Sequence, residues 1–298
     1  MIKRIVTRPD FDGVVCAVLL TEALGDTLPV VWTQPNEVQR GTMMLEPDDV
    51  VANLPLSRQV ALWFDHHVSN ATTIPYKGAY RIAPSAAGLV YEYFKAKLSN
   101  RFAELVRQAD RIDSAQLTLD EILRPECYPH VLLSMTIFTR QPSDEAYCNL
   151  LTRLLRTGSM DQVLADPTVK QRCATAVAAN QQYESFLKSH TCMDGQVAIT
   201  DFRSLPPPVP DGNRFLVYSL FPQSIVNAKI FHEGPHTVIK LGHSIVNRGC
   251  RVNVGRLLAR YGGGGHEGAG ACRIPREQFS TQLDEIVAIL KTNQSEEE

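Results

Sequence analysis

The sequence predicts an α/β protein: an N-terminal parallel-sheet domain with a helical extension, then a smaller C-terminal α/β domain with a mixed sheet. Three observations carry that expectation. Short β-like apolar runs alternate with helical patterns over the first third, the signature of a parallel sheet. Residues 85 to 190 read as mostly helical. Four further β-like runs then precede two helices. The helical pattern breaks around Ser189 to Gly195, which divides the chain into domains of 1–188 and 196–298.

Ile2 to Thr7 reads as the first strand. Asp12-Gly13 opens a helix with Val15, Val18, Leu19 and Leu20 at helical spacing, ending near Gly25. Val50 to Leu54 and Val60 to Phe64 read as two more strands. Ser85 caps a helix through Val90, Tyr93 and Phe94, and Ser143, backed by Asp144 and Glu145, starts another carrying Leu150, Leu151, Leu154 and Leu155. A third spans Val169 to Leu187. In the C-terminal domain Val197 to Phe202, Arg214 to Leu220, Ile225 to Phe231 and Thr237 to Leu241 read as strands. Val252 to Tyr261 and Gln278 to Lys291 read as helices, and Ser295 to Glu298 as a frayed end.

At 298 residues the chain can build two cores, and 44% hydrophobic with 21% charged residues is the composition of a soluble globular protein. The apolar run Val14 to Leu20 is far too short to cross a bilayer, and no cationic leader precedes an apolar stretch. Seven scattered cysteines without a Cys-x-x-Cys pair suit a reduced compartment. The expectation is a cytoplasmic protein with no membrane partner. A net charge of −2 gives no global attraction to nucleic acid. Between Lys240 and Arg276, however, seven Lys or Arg residues face one acid, Glu267, which makes a local anion site plausible.

Polar clusters fall where strands end, and ligands of open α/β sheets bind at the carboxyl ends of strands. Asp10 and Asp12, two apart, point to one side in extended backbone and could meet one metal pair; alternatively Asp12 is a helix cap and Asp10 a loop acid. Asp65-His66-His67 follows the apolar run Val60 to Phe64. Imidazole with carboxylate suits manganese, iron or zinc better than calcium. Asp110 and Asp113 lie in a helical or post-helical stretch, where surface ion pairs are an equal alternative. Gly262 to Gly265, followed by His266, would let backbone approach a ligand and offer amides to phosphate.

In this order the clusters resemble the DHH phosphoesterase superfamily, in particular its two-domain members with a DHH-associated C-terminal domain, such as nanoRNases and exopolyphosphatase-related proteins. Arg8-Pro9-Asp10-Phe11-Asp12 resembles the first motif, Asp65-His66-His67 the third, and Asp110 the fourth, with Asp113 as competitor. Gly262 to Gly270 resembles the glycine-histidine signature of the second domain. The resemblance implies a site for one or two Mn2+ ions, with Mg2+ or another divalent ion as substitute, held by Asp10, Asp12, Asn53, Asp65, His66 and Asp110. Asp65 and His67 would be catalytic. Arg248, Arg251, Gly263, Gly264, Gly265 and His266 would hold substrate across a cleft, and the arrangement allows a homodimer.

Two positions depart from the family pattern. A histidine four residues before the first aspartate is replaced by Val6, and the second motif's aspartate by Asn53, unless Asp48 or Asp49 supplies it. One competent metal position and one weak, substrate-assisted or absent position follow. The expected activity is metal-dependent hydrolysis of a small phosphorylated substrate, such as a short oligonucleotide or nucleotide bisphosphate. Exopolyphosphatase-type activity and a catalytically impaired nucleotide- or phosphate-binding protein are the alternatives.

Overall fold

The N-terminal apolar runs form β1 (Arg4–Thr7), β2 (Val30–Trp32), β3 (Asp49–Ala52), β4 (Leu62–Asp65) and β5 (Gly78–Tyr80). They pair in parallel in the order β2-β1-β3-β4-β5. Winding reverses between β1 and β3, and the crevice beyond the carboxyl ends of such a strand pair is the usual ligand site. The computed structural model describes residues 2–25, 27–137 and 143–294; Ser295 to Glu298, expected to fray, lie outside the described residues.

The helices of this part of the chain are α1 (Phe11–Leu24), α2 (Pro35–Gln39), α3 (Ala86–Tyr93), α4 (Ala103–Asp113), α6 (Pro129–Met135), α7 (Ser143–Thr157) and α8 (Met160–Ala165); α5 (Leu119–Leu123) belongs to the second unit, and α9 (Pro167–His190) has residues in both. Helix α1 is buried continuously from Phe11 to Thr21. A helix apolar around its whole circumference must be enclosed, and α3, α4 and α7 pack against it. On the sheet, Val31, Val6, Val51 and Trp63 lie in register across β2, β1, β3 and β4. Val6, Val51 and Trp63 belong to one buried cluster with Val38, Leu45 and Leu54. Val6, at the position where the family pattern has a histidine, is therefore a core residue of this row.

The chain divides into two units, Met1–Leu117 with Pro125–Thr175, and Thr118–Arg124 with Ala176–Glu298. The second contains β6 (Thr191–Asp194), β7 (Val197–Asp201), α10 (Leu216–Leu220), β8 (Val226–Glu233), β9 (His236–His243), α11 (Val254–Ala259), β10 (Gly264–His266), β11 (Ala269–Pro275) and α12 (Phe279–Thr292). Its sheet runs β10-β11-β9-β8-β7-β6 and is mixed: β7 and β8 are parallel, the other pairs antiparallel. Ile230, Ile239 and Leu241 of the sheet form a core with Leu257 and Leu258 of α11 and with Ile286 and Leu290 of α12.

Two expectations change. Arg214 to Leu220, read as a strand, contains helix α10, whose Leu216, Val217 and Tyr218 are all buried; a short apolar run cannot distinguish the two by periodicity. The glycine-rich segment, read as a loop, includes strand β10, paired antiparallel with β11.

Candidate metal centre

The site begins at the carboxyl ends of β1 and β3. Asp10 has extended backbone and caps α1: its Oδ1 accepts from Gly13 N at 2.8 Å. The same oxygen accepts from Asn53 Nδ2 at 3.0 Å. Asn53, just past β3, holds a left-handed backbone with φ 57°, which asparagine tolerates better than most residues. Asp48 and Asp49 are excluded as substitutes for it. They lie at the opposite end of β3, paired with Lys3 at 2.8 Å and Arg4 at 2.6 Å respectively.

Asp12 is not a cap and does not alternate with Asp10 along a strand. It sits in the first turn of α1, 2% exposed. Its carboxylate accepts from the first two amides of α3, Ala86 N at 3.0 Å and Ala87 N at 2.8 Å. Helix N-termini favour negative charge at that place. Ser85, the cap of α3, accepts from Gly88 N and donates to Asp110 Oδ1 at 2.6 Å. Asp110 thus stands directly behind the turn that holds Asp12.

Beyond β4, Asp65 is fully buried. Its Oδ1 accepts from His66 N at 2.8 Å, His67 N at 3.3 Å and His67 Nδ1 at 2.8 Å, and Oδ2 from Asn70 Nδ2 at 2.5 Å. The carboxylate braces the turn carrying both histidines and keeps acceptor capacity only on Oδ2. His66 Nδ1 lies 3.0 Å from Ala83 O. A carbonyl only accepts, so Nδ1 is the donor, and Nε2 is the nitrogen left to face the site. That Nε2 lies 3.3 Å from Asp113 Oδ2 and 3.7 Å from Asp12 Oδ2. Asp113, three residues after Asp110 on α4, is therefore the acid of that helix facing His66 Nε2.

The residues fit a divalent cation. Ligand atoms of Asp12, His66 and Asp113 lie within 4.8 Å of one another, as do those of Asp65, His66 and His67. Among the described residues four buried side-chain polar atoms lack a hydrogen-bond partner, and three of them, Arg8 Nε, Asn53 Oδ1 and His66 Nε2, are here. Buried polar atoms are almost always paired, so such a concentration marks a place where something else binds. Charge agrees. Burial holds the Asp12 carboxyl well above the usual carboxylate range, and the charges of Asp113 and Asp10 push it the same way. Burial also raises Asp110. Burial alone would lower the His67 imidazole, but its hydrogen bond to Asp65 and the charges of Asp65 and Asp113 leave it above its ordinary value. A bound cation would relieve this crowding.

In the second unit, His266 ends β10 with its side chain exposed, and Arg248 and Arg251 are exposed as well. A Cβ on Gly263 would meet Ala271 O at 2.3 Å, and on Gly265 Ala269 O at 2.2 Å, so those glycines serve the hairpin. Gly264 faces open space, and hairpin packing does not require it to be glycine.

No protein-family profile and no curated protein matches the chain. Solved structures do. A pGpG-specific phosphodiesterase, PggH, from Vibrio cholerae is 28% identical, with a TM-score of 0.83 over 98% of this chain and 100% of that one. An exopolyphosphatase-related protein from Bacteroides fragilis is 11% identical, with a TM-score of 0.59 over 98% of this chain and 92% of that one. RecJ in complex with Mn2+ from Thermus thermophilus is 13% identical, with a TM-score of 0.56 over 97% of this chain but 52% of RecJ. Its parallel sheet and its Asp65-His66-His67 turn at the end of β4 agree with the resemblance to the DHH phosphoesterase superfamily.

Proposed function

We propose that this chain is a divalent-metal-dependent phosphodiesterase that hydrolyses a short linear phosphorylated dinucleotide of the pGpG kind. The carrying observation is the buried, unpartnered Nε2 of His66, facing the carboxylates of Asp12 and Asp113. The likeness to a pGpG-specific phosphodiesterase over the whole of both chains supports the substrate class.

Asp12, His66 and Asp113 would hold one cation, with Asn53 Oδ1, Asp65 Oδ2 and Asp110 in support; mixed imidazole and carboxylate donors suit Mn2+. When bound, the ion supplies Lewis-acid polarisation of a phosphoryl oxygen and acidifies water. The protein's own groups do the rest. Asp65 fixes the His67 ring with Nδ1 toward itself, leaving Nε2 to give a proton to the leaving oxygen. The α3 amides keep Asp12 in place. Arg251, Gly264 and His266, with Arg248 and the neighbouring glycines, form a phosphate-binding surface of the second unit.

The Asn53 bond to Asp10 favours a second reading, a nucleotide-binding protein with weak or no turnover, because it places an amide where the family pattern has a carboxylate. Purified protein with Mn2+ is assayed on pGpG, phosphoadenosine phosphate and polyphosphate, with His66→Ala and Asp65→Ala as controls. Release of mononucleotide from pGpG that is lost in both variants supports the phosphodiesterase. Tight nucleotide binding without release establishes the second reading instead.

A further inference from the structure

Arg8 lies between β1 and α1, and its Nε is 3.1 Å from Asp10 Oδ2. That is near enough for an ion pair. The N–H does not point at the carboxylate, however, and the buried Nε has no hydrogen-bond acceptor. About a third of the side chain remains exposed, at 35%, so part of it can be reached by a ligand. Its positive charge also reaches His67, opposing protonation of that ring. A partly desolvated guanidinium is the group best shaped to take two oxygens of a phosphate at once.

Its surroundings explain why it is there. Asp10 is held on both oxygens: Gly13 N and Asn53 Nδ2 donate to Oδ1, and the Arg8 charge pairs with Oδ2. Val6 is enclosed in an apolar row. Beside the Asp10 carboxylate, this side of the centre offers a guanidinium, a neutral amide and a valine, a weak donor set for a second ion.

We infer that the Arg8 guanidinium takes the place of a second metal ion and binds the non-bridging oxygens of the scissile phosphoryl group. The inference rests on the phosphodiesterase reading of the same site. It makes the centre one metal plus one fixed organic cation. Asp10 then acts as the anchor that aims Arg8, held in turn by Asn53.

The test uses the full chain as wild type, Arg8→Lys and Arg8→Ala, with circular dichroism confirming that each variant is folded. Metal content is measured after Mn2+ loading, kcat and KM are measured on pGpG, and inorganic phosphate binding is measured by calorimetry on metal-free protein. One Mn2+ per chain is expected in all three. In Arg8→Ala, kcat falls about 10²- to 10³-fold, the scale seen when one preorganised transition-state donor is removed. Added guanidine restores part of that loss. Arg8→Lys, which keeps the charge but not the fork, falls between, and phosphate binding by the metal-free protein is lost in Arg8→Ala. Turnover by Arg8→Ala within threefold of wild type overturns the inference, as do two Mn2+ per wild-type chain. Loss of the metal together with activity in Arg8→Ala also overturns it, because Arg8 would then only assemble the site. Wild type inert on every substrate overturns the phosphodiesterase reading instead, and the metal-free phosphate arm still decides whether Arg8 is an anion site.

Discussion

Asn53 donates to Asp10 across 3.0 Å, so the first and second motif positions are tied by a hydrogen bond rather than left as two charges awaiting a shared ion. Asn53→Asp replaces the donor with a second acceptor at a backbone conformation aspartate also tolerates. The metal-free variant is expected to lose about 1–3 kcal/mol, the cost of a broken buried hydrogen bond plus like-charge crowding. With Mn2+ present, its metal content should rise above the wild-type value. Elemental analysis together with chemical denaturation in EDTA checks both; an unchanged metal content would show that the missing carboxylate is not what limits the site.

Asp113 and Asp110 should separate cleanly. Asp113 faces His66 Nε2 at 3.3 Å, whereas Asp110 is engaged by Ser85. Asp113→Asn is expected to weaken Mn2+ binding more than tenfold with little change in the melting temperature of the metal-free protein. Asp110→Asn acts through the cap of α3, so its larger effect should be on stability, about 1 kcal/mol. Calorimetric titration of both variants with Mn2+ distinguishes them; equal losses of affinity would make both acids ligands.

Gly263 and Gly264 are adjacent yet differ in what surrounds them. Gly263→Ala forces a Cβ against Ala271 O and should destabilise the second unit by several kcal/mol. Gly264→Ala meets open space and should melt as the wild type does while raising KM for pGpG, as His266→Ala should. A KM unmoved in both of the latter variants would remove this surface from substrate binding.

Alkaline pH should weaken the first unit. On α7, burial pushes Tyr147 and Cys148 each up to about 12, from ordinary values of 10.0 and 9.0. The folded chain keeps protons that the unfolded chain releases between those values and 12. The native state therefore binds more protons in that window, and stability falls as pH rises through it. Urea midpoints at pH 8 and pH 10.5 read the slope, which Cys148→Ala should flatten.

Much of this arrangement is legible in the sequence, for reasons specific to each element. Strand β4 and its Asp65-His66-His67 turn stand out because the apolar run Val60 to Phe64 ends abruptly in three polar residues. Helix α1 is legible from its apolar run and from Gly25, its C-cap. Strands β2 and β5, with three residues each, are too short to carry a period. Asp110 and Asp113 are one helical turn apart, so spacing alone cannot choose between them. The roles of Ser85 and of the α3 amides are hidden for a different reason: they exist only through contacts distant in sequence. Arg8 carries a signal that motif matching alone does not weigh, a cation two residues before a strand-end carboxylate.

The α3 amides that hold Asp12 lie 74 and 75 residues further along the chain. All five strands of the first sheet precede them, whereas Asp113 comes later still. During synthesis, then, the scaffold can assemble before the centre exists. A nascent or truncated chain ending ahead of α3 could pair its strands yet would leave Asp12 without the amides that receive its carboxylate. Completion of the metal centre is in this sense a late checkpoint on folding, and a divalent ion would bind tightly only to chains that have passed it.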